Sequence, residues 1–422
     1  MSSMPASAGA ASLPELLIST RQRTLELAGA VSDQELERQI NPIMSPLVWD
    51  IAHIAAYEDL WLVHRGGGQP LLRPELAALY DAFETPRAVR GEIEQLNAVQ
   101  AREYLADVRA RALELAAQQA VDAEIGEMVL RHELQHRETI CQTLALAQLA
   151  GFEPDFREPA PPAPGGHSGL EFVAVEGGEF VIGAGGKDFA YDNELPCREL
   201  PVERFEIART PVTNASWLEF LREGGYRERQ WWSDEGWAWV TAEAITAPLY
   251  WELDGDGPPL ELTSCGPRAF DPDRPVAHIS FFEAEAFARA RGARLPTEVE
   301  WEAAAQWQRG APTDRGAANV GQVSFDTAPV GAYPAGACDC GALDMIGNLW
   351  EWTASEFDGY PGFTAHPYPE YSEVFFRKGY RVLRGGSWAT DGRVATASFR
   401  NWDLPQRRQI FSGLRLARDV PQ

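Results

Sequence analysis

Three of the seven histidines have the spacing of metal ligands. His132 and His136 lie four residues apart in HELQH, within a stretch whose apolar residues recur every three to four positions. In a helix this spacing places both imidazoles on one face, roughly 6 Å apart along the axis, which suits two neighbouring ligands of one ion. His53 lies in another amphipathic stretch, WDIAHIAAYEDLW, and a facing helix could bring it to the same ion. Three neutral imidazoles suit iron, zinc or copper.

The HELQH motif has two other interpretations. It matches the HExxH pattern of zinc proteases, in which Glu133 would be the general base. The nearest downstream carboxylate that could complete such a site is Glu153, just after Gly151, where the helix should end. Histidines on an apolar helix face are also common as hydrogen-bonded core residues. Spacing alone therefore leaves a metal centre, a zinc metallohydrolase and a structural role open.

The histidines fall in a segment that reads as a helical bundle. Apolar residues recur at helical spacing in four long stretches, and Ser32 with Glu35 fits a capping box for a further helical turn. The stretches are Leu13–Leu27, Pro46–Val63, Asn97–Ala117 and Asp122–Ala150. The sequence predicts a four-helix bundle over residues 12–152.

The amino-acid composition changes after this bundle. Residues 153–169 include EPAPPAPGGHSG, where prolines and glycines prevent a helix from continuing, and we expect a linker. Residues 170–420 carry short apolar runs, many turn residues and most of the tryptophans, so we expect a loop-rich α+β domain. Only two helices are predicted there, Ala215–Glu223 and Phe281–Gly292, and runs such as Phe172–Val175, Gly178–Gly183 and Arg381–Leu383 read as strands.

Charge and cysteine content limit the function classes. Lys plus Arg is 37 and Asp plus Glu is 62, and the net charge of −25 opposes binding to nucleic acid or anionic membranes. The number of cysteines is five, and only Cys338 and Cys340 are close in sequence, which predicts a reduced, cytoplasmic protein. We see no signal peptide or membrane span. The Cys338-x-Cys340 pair could bind a metal or cross-link, but it lacks a partner pair.

Several motifs in the second half occur in a specific order. They are PVTN at 211–214, RLPTEVEWE at 294–302, DMIGNLWEW at 344–352, RGGSW at 384–388, FRNWD at 399–403 and FSGLR at 411–415. Together they resemble the formylglycine-generating enzyme, which has a C-type-lectin-like fold. We expect Gly347 and Gly385 to supply turns with positive φ, and the motif tryptophans to pack in the core.

The combination of both halves resembles a known enzyme family. A DinB-like bundle carrying HxxxH before a formylglycine-generating-enzyme-like domain is similar to the ergothioneine-biosynthesis sulfoxide synthases, or hercynine oxygenases. The resemblance implies that Fe(II) and O₂ join hercynine, the betaine of histidine, to a thiol. A close relative, selenoneine synthase, uses a selenosugar instead. The formylglycine-generating enzyme itself uses a cysteine pair near its C-terminus, and this chain has no cysteine after Cys340.

The resemblance also assigns roles to individual residues. It places the iron ligands at His53, His132 and His136, and a contact to the hercynine imidazole at Gln135. It assigns Asn401 and Trp402 to the hercynine pocket, where an indole face can attract a trimethylammonium group by a cation–π interaction.

The thiol donor is assigned by a further set of residues. Family members that use γ-glutamylcysteine carry two arginines in a stretch like YDAFETPRAVR, here Arg87 and Arg90. Two guanidinium groups can bind two carboxylates, and Asp403 would pair with the donor's ammonium group. The family also uses a tyrosine as a proton donor, for which Tyr368 and Tyr380 are candidates, with Tyr371 as a neighbour of the first. A non-catalytic lectin-like binding protein remains an alternative to an enzyme at this point.

Overall fold

The computed structural model describes residues 11–149, 169–185, 189–253, 257–263, 265–307 and 316–420. They fall into two compact units, one within 1–150 and the other within 151–422. The predicted linker at 153–169 lies outside the described residues except for Gly169. Within the described ranges, every helix is too short or too polar to cross a membrane.

The first unit consists of helices. Its α-helices are α1 (Leu13–Ala28), α2 (Asp33–Leu36), α3 (Leu47–Glu58), α4 (Ala98–Ala117) and α5 (Ala123–Leu149). The four long helices match the predicted ones, and α2 begins at the predicted capping box, where the Ser32 side chain accepts a hydrogen bond from the Glu35 amide. The prediction was wrong in one detail, because α3 ends as an α-helix at Glu58 and continues as a π-helix over Asp59–Gly66.

Four charged side chains join the long helices of this unit. Arg21 of α1 and Arg109 of α4 both bind Glu58 of α3 and Glu133 of α5, at distances of 2.6–2.8 Å. Thr24 donates a further hydrogen bond to Glu133 at 2.8 Å. All these side chains are buried. The cluster, which we call the charge cluster, fixes how α5 is rotated against its neighbours because its hydrogen bonds are directional.

The second unit contains small sheets and short helices. Its elements in chain order are β1 (Phe172–Val175), β2 (Gly178–Ile182), β3 (Arg198–Val202), β4 (Phe205–Ala208), α6 (Asn214–Arg222), α7 (Asp234–Ala242), β5 (Trp251–Glu252), β6 (Leu260–Thr263), β7 (Gly266–Ala269), α8 (Phe281–Ala290), α9 (Glu298–Ala304), β8 (Trp350–Glu356), β9 (Arg381–Arg384), β10 (Asn401–Asp403), β11 (Ser412–Leu414) and β12 (Ala417–Asp419). The strands form sheets in the orders β1-β4-β12, β10-β9-β8-β11, β2-β3 and β5-β6-β7.

The expectation of only two helices in this half is wrong. Besides α6 and α8, the described residues form α7 and α9. Thr297 begins α9 with a capping box, since its side chain accepts from the Glu300 amide at 3.1 Å and the Glu300 carboxylate accepts from the Thr297 amide at 2.8 Å. This Thr-x-x-Glu pattern in RLPTEVEWE is a sequence signal for a helix start, although no helix was predicted there.

Three fully buried arginines connect the sequence motifs of this unit. Arg384 binds Glu302 at 2.5 Å, Arg400 binds Glu298 at 2.7 Å, and Arg415 binds Glu351 at 2.7 Å. A buried guanidinium without a carboxylate partner would be costly, so these pairs require both motifs of each pair to be in place. Since Arg400 precedes Asn401 directly, its ion pair also fixes the start of β10.

The structure confirms the structural roles predicted for two motif turns and the tryptophans. Gly347 and Gly385 have φ values of 77° and 96°, in the region that favours glycine. Trp350, Trp352 and Trp388 are buried. Strand β10 pairs antiparallel with β9, with Trp402 opposite Val382, and lies at the edge of its sheet.

Candidate metal centre

His53, His132 and His136 come together inside the helical unit. Each offers one ring nitrogen, and these three atoms lie within 4.8 Å of one another. The Nε2 atoms of His53 and His132 are 3.2 Å apart. Two neighbouring ligands that are each about 2.1 Å from one ion lie about 3 Å apart. Among the described residues, this is the one group of three or more His, Cys, Asp or Glu side chains that could hold a metal ion.

The orientation of His53 is fixed by its second nitrogen. Nδ1 lies 2.6 Å from the carbonyl oxygen of Tyr80, an acceptor, so Nδ1 carries the proton and donates it. Nε2 is therefore deprotonated, with its lone pair directed at the other two histidines. The ring also stacks on Trp49, with centroids 4.9 Å apart. His53 is thus held in the tautomer that a metal ligand requires.

The two histidines of α5 have different surroundings. The His132 ring stacks on Tyr57, with centroids 3.6 Å apart. His136 has its Nδ1 buried without a hydrogen-bond partner in the described part of the chain, and the nearest carboxylate oxygen, Oδ1 of Asp50, is 3.8 Å away. Asp50 is buried on α3, three residues before His53 and on the same helix face.

All three imidazoles are neutral at physiological pH. Burial lowers the pKa of His53 to about 4. Burial and the neighbouring imidazoles hold the pKa values of His132 and His136 well below the usual range. A metal ion needs the neutral form of each ring, so the site is prepared for binding without the cost of removing protons.

The residues present fit a bound transition metal. Three convergent neutral imidazoles are a donor set for iron, zinc, copper or nickel. Three protein ligands also leave coordination positions for substrates. The geometry therefore forms a three-histidine site that could hold a metal ion, without selecting the metal.

Glu133 does not belong to this site, although it lies between two of its ligands in sequence. Both of its carboxylate oxygens accept from the charge cluster, Oε1 from Arg21 and Thr24 and Oε2 from Arg109. Burial would raise the pKa of Glu133, but attraction to both arginines lowers it to about 2. The prediction of Glu133 as the general base of a zinc metallohydrolase is wrong, because a carboxylate held in this way cannot activate water at the histidines.

The two predicted donor-binding arginines differ in their surroundings. Arg87 is exposed, and its guanidinium makes no hydrogen bond within the described part of the chain. Arg90 is buried, and its Nε, Nη1 and Nη2 donate to Thr85 O, Ser45 Oγ and Ala82 O at 2.8, 2.7 and 3.2 Å. Arg90 also lies over the Trp49 ring, 3.4 Å from its centroid. Three of the five N–H groups of Arg90 are thus used, and two remain for a ligand.

The predicted hercynine residues lie in both units. Gln135 is half-buried on α5, directly before the ligand His136. Asn401, Trp402 and Asp403 form β10 and are half-buried. Phe357 stacks on one face of the Trp402 indole, with centroids 4.2 Å apart, so only the opposite face could receive a cation. Asp403 already interacts with Arg407, 3.7 Å away.

The three tyrosines of the sequence reading belong to the aromatic surroundings of Trp402. Tyr371 meets the Trp402 indole edge-on at 5.9 Å, and Tyr368 meets Tyr371 at 6.3 Å. Tyr380 packs edge-on against Phe375, which itself contacts Trp402 at 5.6 Å. All three are half-buried, and their positions do not single out one of them as a proton donor.

The sequence reading missed the residues that surround the histidines. Trp49, Tyr57 and Tyr80 orient the rings, and Asp50 lies behind His136. A signal existed for Asp50, because a carboxylate three residues before a predicted ligand shares its helix face. The Tyr80 contact uses a main-chain oxygen and had no sequence signal. For the pair Cys338 and Cys340, the structure shows two free thiols with sulfur atoms 3.3 Å apart.

Comparisons with known proteins assign both units. The DinB superfamily model matches residues 16–140, and the model for a sulfatase-modifying factor enzyme 1-like domain matches residues 159–420. A protein of Mycolicibacterium thermoresistibile named hercynine oxygenase is 46% identical, over 97% of this chain and 95% of its own. The hercynine oxygenase of Mycobacterium tuberculosis is also 46% identical, over 96% of this chain and 98% of its own. The formylglycine-generating enzyme of Mycobacterium tuberculosis is 32% identical over 47% of this chain and 77% of its own.

The fold and the site therefore define a class of protein, in which a DinB-type bundle with a three-histidine metal site precedes a sulfatase-modifying-factor-like domain. Within that class, this chain belongs to the hercynine oxygenase family, since the similarity extends over nearly its whole length. It is an oxidoreductase, and the alternative of a non-catalytic binding module is wrong.

Proposed function

We propose that this enzyme joins hercynine to the thiol of γ-glutamylcysteine in an Fe(II)- and O₂-dependent reaction that forms a C–S bond and oxidises the sulfur, as a step of ergothioneine biosynthesis. The observation that carries the proposal is the convergent, neutral three-histidine site in a chain 46% identical to hercynine oxygenases. Five free cysteines in the described residues support a reducing, cytoplasmic location.

Fe(II) bound by His53, His132 and His136 would supply the activation of O₂. The three histidines would hold it, and the Tyr80 hydrogen bond and the stacking on Trp49 and Tyr57 would keep the His53 and His132 rings oriented. The fixed rings leave the remaining positions to the two organic substrates and O₂.

Recognition of hercynine is assigned to Gln135, Asn401 and Trp402. Gln135 is one residue from the ligand His136, so its amide can hydrogen-bond a ring nitrogen of a substrate close to the metal. The Trp402 face opposite Phe357 can attract the trimethylammonium group, and the Asn401 amide can donate to the carboxylate. These contacts would favour hercynine over histidine, which lacks the methyl groups.

Recognition of the thiol donor is assigned to Arg87, Arg90 and Asp403. γ-Glutamylcysteine has two carboxylates and one ammonium group, whereas cysteine has one carboxylate and a selenosugar has neither charge. Arg87 offers a whole guanidinium and Arg90 offers its two remaining N–H groups, which together suit two carboxylates. Asp403 suits the ammonium group.

A tyrosine near Trp402 is proposed as the proton donor, with Tyr368 first and Tyr380 second. A phenol can both donate a hydrogen bond and release its proton in a transition state. The edge-on contacts that link these residues to Trp402 through Tyr371 and Phe375 support a position beside the proposed hercynine pocket.

The proposal is tested by supplying the metal and the substrates in sequence. The purified chain is loaded anaerobically with Fe(II) and hercynine, then given γ-glutamylcysteine, cysteine or a selenosugar before O₂ is admitted, and products are identified by mass spectrometry. We expect the sulfoxide conjugate with γ-glutamylcysteine as the fastest product, and none from the His53→Ala variant. Faster turnover of the selenosugar would instead assign the chain to selenoneine synthesis, and zinc-dependent peptidase activity without O₂ uptake would contradict the proposal.

A further inference from the structure

We infer that Asp50 is a positioning residue for His136, and that its carboxylate accepts the Nδ1–H of this ligand when a metal is bound. The inference deepens the proposed function, since it rests on the three-histidine metal site. Asp50 does not contact the metal position itself, so its role is to orient a ligand and not to act in the reaction.

The first observation is that His136 Nδ1 is buried without a hydrogen bond within the described residues and lies beside the buried carboxylate of Asp50. His136 Nδ1 has no partner within the described part of the chain, and neither has Asp50 Oδ2. Nδ1 and Asp50 Oδ1 are 3.8 Å apart, too far for a hydrogen bond but close enough for a small rotation of either side chain to form one. Buried polar groups are almost always paired in folded proteins, so the nearby carboxylate of Asp50 is the expected acceptor for Nδ1–H.

The second observation is the contrast with His53. His53 already donates its Nδ1–H to the Tyr80 carbonyl at 2.6 Å, which leaves Nε2 for the metal. Within the described residues, His136 Nδ1 has no main-chain oxygen to which it could donate a hydrogen bond in the same way. The carboxylate of Asp50 lies beside it. A bound cation on Nε2 makes Nδ1–H a stronger donor, which would close the 3.8 Å gap.

The third observation is that Asp50 is itself held in place. Its side chain is 2% exposed, and the Ser45 side chain lies beside it. Ser45 in turn accepts from Arg90 Nη1 at 2.7 Å. The guanidinium of Arg90 thus lies close enough to offset the carboxylate charge, which a buried anion requires. A chain of polar side chains thus leads from Arg90 through Ser45 and Asp50 to His136. It connects the segment of the two proposed donor-binding arginines with a proposed metal ligand.

The test measures metal affinity, which a residue with a purely structural role would leave unchanged. The metal-free chain is titrated anaerobically with Fe(II), and with Co(II) as a coloured substitute, in wild type, Asp50→Asn and Asp50→Ala. We expect affinity to fall by about ten- to hundred-fold, the usual effect of removing an outer partner of a histidine ligand. The fall should be smaller for Asn, whose amide oxygen can still accept from Nδ1–H, and the Co(II) absorption spectrum should shift in both variants.

Asp59→Asn is the matched control. Asp59 is buried as well and lies in the π-helix that continues α3, but it accepts from the Leu72 amide and pairs with Arg111. Its substitution should lower the unfolding temperature of the metal-free chain about as much as Asp50→Asn does, with metal affinity within two-fold of wild type. If Asp50→Ala does not fold, Asp50→Asn decides alone.

Two outcomes would overturn the inference, and they are distinguishable. If wild type binds one metal ion per chain and Asp50→Asn binds it within two-fold of the same affinity, Asp50 has no positioning role while the metal site stands. If wild type binds neither metal, the three-histidine site itself is refuted, and the inference fails with it.

Discussion

Two buried polar clusters in the helical unit meet at neighbouring residues of α5. The charge cluster includes Glu133, whose oxygens are paired with Arg21, Arg109 and Thr24. The second cluster, which we call the histidine cluster, consists of His53, the adjacent His132, His136 and Asp50. Within the described residues, His136 Nδ1 and Asp50 Oδ2 of this cluster have no hydrogen-bond partner. The carboxylate oxygens of the first cluster all have partners within the protein, whereas the three histidines of the second present ring nitrogens that could hold a metal ion.

Within the single motif HELQH, this difference distinguishes a residue that stabilises the fold from residues proposed to bind the metal. A fully paired buried network is a feature of the folded state, and disrupting it leaves uncompensated charge in the core. Buried polar atoms without partners cost folding free energy and require an explanation, which the proposed metal site provides for the histidines. In HELQH, the glutamate therefore serves the bundle and the two histidines serve the metal site, which is why the motif here does not make a zinc protease.

The largest effect on stability is expected from opening the charge cluster. Arg109→Ala leaves Glu58 and Glu133 with one guanidinium instead of two, and removing one partner of a buried ion pair costs about 3–5 kcal/mol. We expect a loss of this size in the unfolding free energy of the helical unit, measured by urea denaturation. Under conditions in which the Arg109→Ala variant is still folded, we expect it to bind one metal ion per chain, as the wild type should.

The control for this prediction lies on the same helix. Arg102 pairs with Asp33 at 2.6 Å on the surface, and both side chains are substantially exposed. Arg102→Ala should cost less than about 1 kcal/mol, as surface ion pairs usually do. Equal losses from Arg102→Ala and Arg109→Ala would contradict the view that the charge cluster stabilises the bundle.

The next effect concerns Arg87 and Arg90. They also differ in how far their side chains are hydrogen-bonded within the protein. Arg87 has a free guanidinium and Arg90 a mostly engaged one. A charge-assisted hydrogen bond contributes about 1.5–3 kcal/mol, so Arg87→Ala should weaken the apparent affinity for γ-glutamylcysteine by about ten- to hundred-fold without changing stability.

Arg90→Ala should lower both the affinity for the thiol and the unfolding free energy, because its side chain also joins Ser45, Thr85 and Ala82. Steady-state kinetics with saturating hercynine, combined with thermal unfolding, separates the two effects. A loss of thiol affinity confined to one variant would show that only that arginine contacts the donor.

The smallest effect is expected at Trp402. Phe357 covers one face of the indole, so a single face is available to the trimethylammonium group. Trp402→Ala should weaken hercynine binding by about 1–2 kcal/mol, or roughly ten-fold, with little change for γ-glutamylcysteine. Calorimetry with hercynine and with histidine checks this, and equal affinity of wild type for both compounds would refute a role of Trp402 in cation recognition.

The parts of the site that follow helical spacing were predictable from sequence. His132 and His136 must share a face of α5, and the apolar pattern of α3 turns His53 inward. The pairing of Asp50 with His136 depends on how α3 is rotated against α5, which the charge cluster sets through residues on four helices. The spacing of Asp50 and His53 was a signal for a shared helix face, but no local pattern reports the rotation that brings Asp50 near His136.

The second unit was predictable in its motifs but less in its elements. The order of motifs indicated the domain, and the turns at Gly347 and Gly385 followed from their composition. Helix α9 is only seven residues long, too short for a clear apolar period, and its signal was the Thr297 capping box; α7 is as long as the predicted α6. The stacking of Phe357 on Trp402 joins residues 45 positions apart, and sequence gives no account of which indole face it covers.

The most direct test of the account is the iron content of the wild-type chain and of His53→Ala, His132→Ala and His136→Ala after anaerobic Fe(II) loading and removal of unbound metal. We predict one Fe(II) per wild-type chain, and loss of most of the iron in each variant, with the unfolding transition of the metal-free protein largely preserved. Full iron content in all three variants would contradict the assignment of the histidine cluster as the metal centre.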